Sequence, residues 1–286
     1  MSSDKTIRRR GVYLLPNLLT SAALFAGFYS VISGINGNFE AAAVAIIVAG
    51  LLDGLDGRVA RMTNTQSDFG EQYDSLSDLI SFGLAPALLA FNWSLSSLGE
   101  ISTMAGKLGW LAAFLFMACA ALRLARFNTQ AGIADKRYFQ GLASPAAAGT
   151  LVFTIWFFVD NGVSGDTVSW LIFFEVVVLG ILMFSNVRYL SFKGGSGGEK
   201  VPAVWVLLAV LIIVLVALDP PIMGMILGIV YVLSGIVVTV AGRRNWKLKR
   251  GHRSPKGNKT DPRTEPVLSM KEGDHDQDSD VDSPNA

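Results

Sequence analysis

One cysteine and two histidines are all the thiol and imidazole that 286 residues offer. Cys119 sits inside the apolar run FLFMACAALRL and has no second cysteine to pair with, so no disulfide frames the chain and its redox compartment cannot be read. His252 and His275 both fall in the polar C-terminal stretch. No histidine or thiol is therefore placed in the apolar body to move a proton or attack a substrate, and a carboxylate is the natural base. Charge is scarce too. Only 16% of residues are charged, against about 25% in soluble domains, while 51% are hydrophobic and the mean hydropathy is +0.44. The net charge of +1 identifies no partner and gives no sign of nucleic-acid binding. The apolar segments lack two-residue alternation, which excludes a membrane β-barrel, and no internal repeat is present.

What is there is a series of apolar runs near the length an α-helix needs to cross a bilayer. Eight can be placed, at 15–34, 39–60, 70–92, 107–127, 144–160, 166–185, 201–218 and 221–242. This predicts an all-α, polytopic membrane helix bundle spanning 15–242, with a short segment 1–14 before it. The first run is too long for a signal-peptide core and has no small-residue cleavage site after a short core, so it reads as a membrane helix. Basic residues fall in alternate connections. Arg8, Arg9 and Arg10, Arg58 and Arg61, Arg123, Arg126, Lys136 and Arg137, Arg188, Lys193 and Lys200, and Arg243 to Arg250 lie on one side; the other side carries only Lys107. Cytoplasmic loops retain basic residues, so both termini are expected in the cytoplasm. Residues 243–286 are polar, basic and then acidic, and are expected to be a disordered cytoplasmic tail whose basic half can touch anionic lipid headgroups.

Against this background the stretch LLDGLDGRVARMTNTQSDFGEQYDSLSDLISFG, residues 51–83, stands out. Asp53 and Asp56 lie at the end of the second helix, and Asp74 and Asp78 in the first turns of the third. Residues three or four apart share a helical face, so each pair points one way, and the short loop makes the two helices antiparallel neighbours. Four carboxylates converging at the membrane surface repel one another unless cations lie between them. All-oxygen ligands select hard cations such as Mg²⁺, Mn²⁺ or Ca²⁺, which commonly hold phosphate oxygens. Gly57 and Ala60 let a ligand approach the helix backbone, and Arg61 can pair with a phosphate. The plainer reading is a set of solvated residues at a helix junction. Asp68 and Glu71 break the helical spacing and fit capping or solvation of the third helix.

The pattern Asp53-x-x-Asp56-Gly57-x-x-Ala60-Arg61, eight residues, then Gly70-x-x-x-Asp74-x-x-x-Asp78 resembles the signature of the CDP-alcohol phosphatidyltransferases, with every position present. The wider resemblance runs from PNLLT at 16–20 to about residue 150. It implies loss of CMP from a CDP-linked lipid as an alcohol takes over the lipid phosphate. It further implies that Asp53, Asp56 and Asp74 hold divalent metal, Mg²⁺ or Mn²⁺, and that Asp78 helps bind metal or acts as base. Gly57, Ala60, Arg61 and Gly70 would line the nucleotide and diphosphate site. Asn17 and Thr20 could face the same site or simply start the first helix. The resemblance also implies a homodimer.

Two further stretches bear on the acceptor. ALRLARFNTQ ends the fourth helix and KRYFQGLASPAAAG opens the fifth. Arg123 and Arg126 share a face. They either anchor at headgroups by snorkelling or bind a carboxylate or phosphate, with Asn128, Gly141, Ser144 and Pro145 shaping the pocket; Pro145 also suits a helix start. These stretches resemble the bacterial phosphatidylserine synthase branch of the family, with Ala143 where that branch usually has proline. The resemblance implies CDP-diacylglycerol and L-serine as substrates, and a bacterial cytoplasmic (inner) membrane with the active site facing the cytoplasm. Glycerol 3-phosphate and inositol phosphate remain alternative acceptors. A divalent-cation transporter and a non-catalytic membrane scaffold are the alternatives from other classes.

Overall fold

A computed structural model describes residues 3–130, 138–190, 214 and 216–251, with side chains described over 15–129, 141–187, 214 and 216–239. The elements in chain order are α1 (Ser3–Ile35), α2 (Phe39–Thr63), α3 (Asp68–Asp78), a π-helical stretch Leu79–Leu84, α4 (Ala85–Trp93), a 3₁₀ turn Leu95–Ser97, α5 (Leu98–Ile101), α6 (Thr103–Gln130), β1 (Tyr138–Gln140), α7 (Ser144–Asp160), α8 (Ser169–Phe184), β2 (Arg188–Leu190) and α9 (Pro220–Gly251). The all-α expectation needs one amendment: β1 and β2 pair antiparallel, Phe139 opposite Tyr189. Leu15–Ile35, Asp68–Trp93, Thr103–Thr129 and Pro220–Thr239 are long and apolar enough to cross a membrane; α7 and α8 are apolar but shorter. The second half of α2 carries Asp53, Asp56, Arg58 and Arg61, and α2 is not among the four.

Several boundaries differ from the sequence expectation. Helix α1 begins at Ser3, inside the segment set apart as 1–14, and α2 runs to Thr63, so Asp53 and Asp56 lie well inside it. The third helix begins at Asp68 and changes to π geometry after Asp78. Helix α9 continues to Gly251, into the stretch expected as tail. The segment expected at 201–218 lies outside the described residues except 214 and 216–218, which are helical. Polarity marks where burial stops, whereas backbone hydrogen bonding can carry a helix past that point. By contacts the chain divides into a body, Met1–Arg244, and a unit Asn245–Ala286 in which 245–251 are helical.

Small residues bring the helices of the body together. Ala42, Ala43, Ala45 and Ala49 of α2 are buried, as are Ala23 and Ala26 of α1. Without a hydrophobic force between helices in lipid, such side chains allow close van der Waals packing. The α1–α2 connection turns at Gly37, whose φ of +77° favours glycine. Large apolar side chains such as Phe25, Phe28, Phe114 and Phe174 are exposed, as suits helices facing lipid rather than water. The α3–π span lies on α1. Ser77 and Ser81 donate to the carbonyls of Thr20 and Ala23 at 3.3 and 3.2 Å, and Gly27 leaves room for Ser81, whose Cα a Cβ there would approach to 2.9 Å.

Candidate active site

The junction between α2 and α3 builds the site. Helix α2 stops at Asn64, in the left-handed conformation (φ 52°, ψ 42°) that asparagine tolerates at a helix C-terminus. Helix α3 starts at Ser67, whose hydroxyl accepts from the Gly70 amide at 3.1 Å. Ser67 is therefore the cap, and Asp68 and Glu71 occupy the first turn, where carboxylates favour the positive end of the helix dipole.

One carboxylate oxygen from each of Asp53, Asp56 and Asp74 lies within 4.8 Å of the others. Asp56 is buried and held in place: the Thr20 hydroxyl donates to its Oδ2 at 2.6 Å. Asp74 Oδ1 is buried and meets no hydrogen-bond donor. A buried carboxylate oxygen without a partner is costly, and a divalent cation among three hard oxygen donors supplies the missing partner. The three residues thus fit a metal ion. Asp78 is not part of that trio; its carboxyl lies in side-chain hydrogen-bonding reach of Asp53.

A pocket of about 450 Å³ opens beside the cluster. Asn17, Thr20, Asp56, Gly57, Ala60, Gly70 and Asp74 line it, together with Pro16, Thr65, Gln66, Ser67, Asp68 and Glu71, which the sequence reading had not placed in a binding site. A Cβ at Gly57 would meet nothing within 4 Å, so protein packing does not require glycine there and the space is available to a ligand. Gly70 is tighter: a Cβ would come 3.2 Å from Ser67 Oγ and 3.4 Å from Asn17 Oδ1. Arg61 is exposed, and its Nε donates to the Gly57 carbonyl at 2.9 Å.

The two arginines of α6 part company. Arg123 turns inward. Its Nη1 donates to the buried Ser144 hydroxyl at 2.9 Å, and it interacts electrostatically with Asp78. Arg126 instead reaches the C-terminal end of α8, donating to the carbonyls of Phe184 and Ser185 and to Asn186 Oδ1 at 3.2 to 3.4 Å, with its guanidinium 5.4 Å from the Phe184 ring centre. Gly141, at φ +83°, belongs to this junction: a Cβ would overlap the Met183 carbonyl and press on Arg126. Asn128 donates to Ser75 at 3.0 Å, tying α6 to α3. Pro145 lies in the first turn of α7 and Ala143 precedes that helix without a side-chain cap. The Ser77 hydroxyl is directed at α1 and that of Ser75 at Glu71 O and Asn128.

A family model described as CDP-alcohol phosphatidyltransferase matches residues 13–182. A Helicobacter pylori protein named CDP-diacylglycerol–serine O-phosphatidyltransferase is 40% identical over 185 residues, 64% of this chain and 74% of that protein. A Mycobacterium leprae protein of the same name is 30% identical over 225 residues, covering 77% of this chain and 72% of that one. A Methanothermobacter thermautotrophicus archaetidylserine synthase is 34% identical over 191 residues, 66% of this chain and 74% of its own length.

Proposed function

The chain belongs to the CDP-alcohol phosphatidyltransferase family, and on that footing we propose that it transfers the phosphatidyl group of CDP-diacylglycerol to the hydroxyl of L-serine, giving phosphatidylserine and CMP. Arg123 supplies a cation for an anionic acceptor: it donates to Ser144 and is within electrostatic reach of Asp78, whose carboxyl adjoins the metal-binding trio; the choice of serine among such acceptors is carried by the relatives' names. The serine in the names of the bacterial and archaeal relatives supports the same choice, although their lipid names differ.

In this reading Asp53, Asp56 and Asp74 hold Mg²⁺ or Mn²⁺. Bound there, the metal neutralises charge on the diphosphate and on the departing CMP. Gly57, Ala60, Gly70, Asn17 and Thr20 shape the nucleotide and diphosphate pocket, and Arg61 exchanges the Gly57 carbonyl for a phosphate oxygen. Arg123 binds the serine carboxylate and brings the serine hydroxyl to Asp78. Asp78 takes the hydroxyl proton as the serine oxygen bonds to the lipid phosphorus and the bond from phosphorus to the CMP oxygen breaks. Ser75 and Ser77 are committed to other partners, and no covalent phosphatidyl-enzyme forms. Asn128 and Arg126 hold α6 in register for this arrangement.

The alternation of basic connections supports eight membrane spans with the catalytic domain at 15–242 and both termini and the site on the cytoplasmic side, and the resemblance to the bacterial branch supports residence in the inner membrane of a bacterium. The family resemblance supports a homodimer. Purified protein given CDP-diacylglycerol, Mn²⁺ and an acceptor panel tests the proposal. Phosphatidylserine and CMP should form with serine and no other acceptor. Product formed instead from glycerol 3-phosphate or an inositol phosphate would overturn the choice of acceptor, and metal flux without transfer would favour a transporter.

A further inference from the structure

We propose that Tyr73, which occupies an open position of the signature, is a positioning residue for Asp74; the inference rests on the reading of Asp53, Asp56 and Asp74 as metal ligands and deepens it. The carboxylates are not held alike. Asp56 receives the Thr20 hydroxyl at 2.6 Å. Asp74 Oδ1 is buried and has no hydrogen-bond partner among the described residues, so no donor fixes that oxygen. Its two chain neighbours are fixed instead. The Tyr73 phenol lies 2.9 Å from the Ser21 hydroxyl of α1. Ser21 donates to the Asn17 carbonyl at 2.8 Å, and a hydroxyl has a single proton, so the phenol is the donor to Ser21. On the other side the Asn128 amide of α6 donates to the Ser75 hydroxyl at 3.0 Å, whose own proton goes to the Glu71 carbonyl at 3.0 Å. Successive residues of an α-helix are about 100° apart around the axis, so Tyr73 and Ser75 diverge on either side of Asp74. Helix α3 is thus tied to α1 along one flank and to α6 along the other. Between the ties Asp74 turns to α2, where a carboxylate oxygen lies within 4.8 Å of those of Asp53 and Asp56.

Helix α1 is the common reference for the two ligand-bearing helices. Thr20 and Ser21 are consecutive residues. Thr20 holds Asp56 of α2, Ser21 holds Tyr73 of α3, and the Thr20 carbonyl accepts from Ser77 of α3 at 3.3 Å. The separation between the ligands of α2 and the ligand of α3 is therefore set through two adjacent residues of α1. A roll of α3 about its axis would carry the Asp74 carboxylate out of the trio, because a side-chain terminus stands farther from the axis than the backbone does. The bond from Tyr73 to Ser21 resists that roll. The Tyr73 ring also stacks on exposed Phe69, with centroids 6.0 Å apart and planes at 15°. Phenylalanine at position 73 keeps this ring contact and loses only the tie to α1.

The test titrates Mn²⁺ into the purified full chain in detergent, with and without CMP, and reads free Mn²⁺ by electron paramagnetic resonance for wild type, Tyr73→Phe, Ser21→Ala and the double variant. The expected result is a rise in the Mn²⁺ dissociation constant of about 3- to 10-fold in each single variant, the weight of one neutral hydrogen bond, at an unchanged number of sites. The double variant should bind no more weakly than either single one, since both remove the same bond. In transfer assays at saturating Mn²⁺ the serine KM should stay at its wild-type value. A wild-type dissociation constant in Tyr73→Phe, full additivity of the two changes, or fewer sites at unchanged affinity, which is the mark of a merely unstable fold, would overturn the inference while wild type still binds the metal. Wild type that binds no Mn²⁺ in either condition, or Asp74→Asn that binds it as wild type does, would overturn the metal reading and this inference with it.

Discussion

Thr20→Val tests the site through a single atom. The Thr20 hydroxyl donates to Asp56 Oδ2 at 2.6 Å, and both residues are buried. Valine keeps the shape and removes the donor. Hydrogen bonds to charged groups contribute roughly 1.5–3 kcal/mol, which at about 1.4 kcal/mol per factor of ten is about 10- to 100-fold in an equilibrium constant. Partners that orient a metal ligand carry a similar weight, about 10–100-fold in metal affinity or activity. In Thr20→Val the Asp56 carboxylate is freer to rotate away from Asp53 and Asp74, so more metal should be needed to assemble the trio. The assay is phosphatidyl transfer titrated with Mn²⁺ at saturating CDP-diacylglycerol and serine. The midpoint should rise by about tenfold or more, and Thr20→Ser, which restores a hydroxyl, should return most of the way. A Thr20→Val enzyme with the wild-type Mn²⁺ midpoint would show that Asp56 is not a metal ligand or is oriented by something else, and the reasoning would fail.

Chelation should abolish transfer and Mg²⁺ or Mn²⁺ should restore it, because three carboxylates converge within 4.8 Å; full turnover in a preparation shown by metal analysis to be empty would refute this. The two arginines should separate kinetically. Arg123→Ala should raise the serine KM by about tenfold or more, whereas Arg126→Ala, which loses contacts to Phe184, Ser185 and Asn186, should lower the melting temperature in detergent more than it alters the serine KM; the opposite pattern would exchange their roles. Gly165→Ala should destabilise the fold by about 1–3 kcal/mol as an overpacked site does, because a Cβ there would overlap the Trp93 carbonyl and come 2.8 Å from its carbon. An unshifted thermal melt would refute the close approach.

The carboxylate-rich stretch was legible because its residue types and spacing are local. Asp53 and Asp56 on one helix face and Asp74 and Asp78 on the next follow from 3.6 residues per turn, and a short connection makes the two helices neighbours. The helix at 144–160 coincides with α7, since Pro145 and the end of the apolar run mark its limits. The ends of α1 and α9 were not legible, because polar residues continue a helix without announcing where it stops. Asp78 is followed by a π turn over Leu79–Leu84, which apolar periodicity over six residues does not reveal.

Pairings across the chain lay beyond sequence reasoning. Thr20 reads equally well as a helix-start residue until Asp56, 36 positions away, is found against it. Arg123 and Arg126 share a face and a charge, yet one is directed to Ser144 and Asp78 and the other to the end of α8. Gly228 is an ordinary glycine in an apolar run until Thr150 is seen where its side chain would be. The sequence alone determined the membrane class, the carboxylate cluster and the family, because hydropathy and helical spacing act between near neighbours. Only the tertiary structure decided which donor steadies which carboxylate and which arginine turns to Ser144, because those choices depend on helices packing at ångström depth, and the residues that meet there are far apart in the chain.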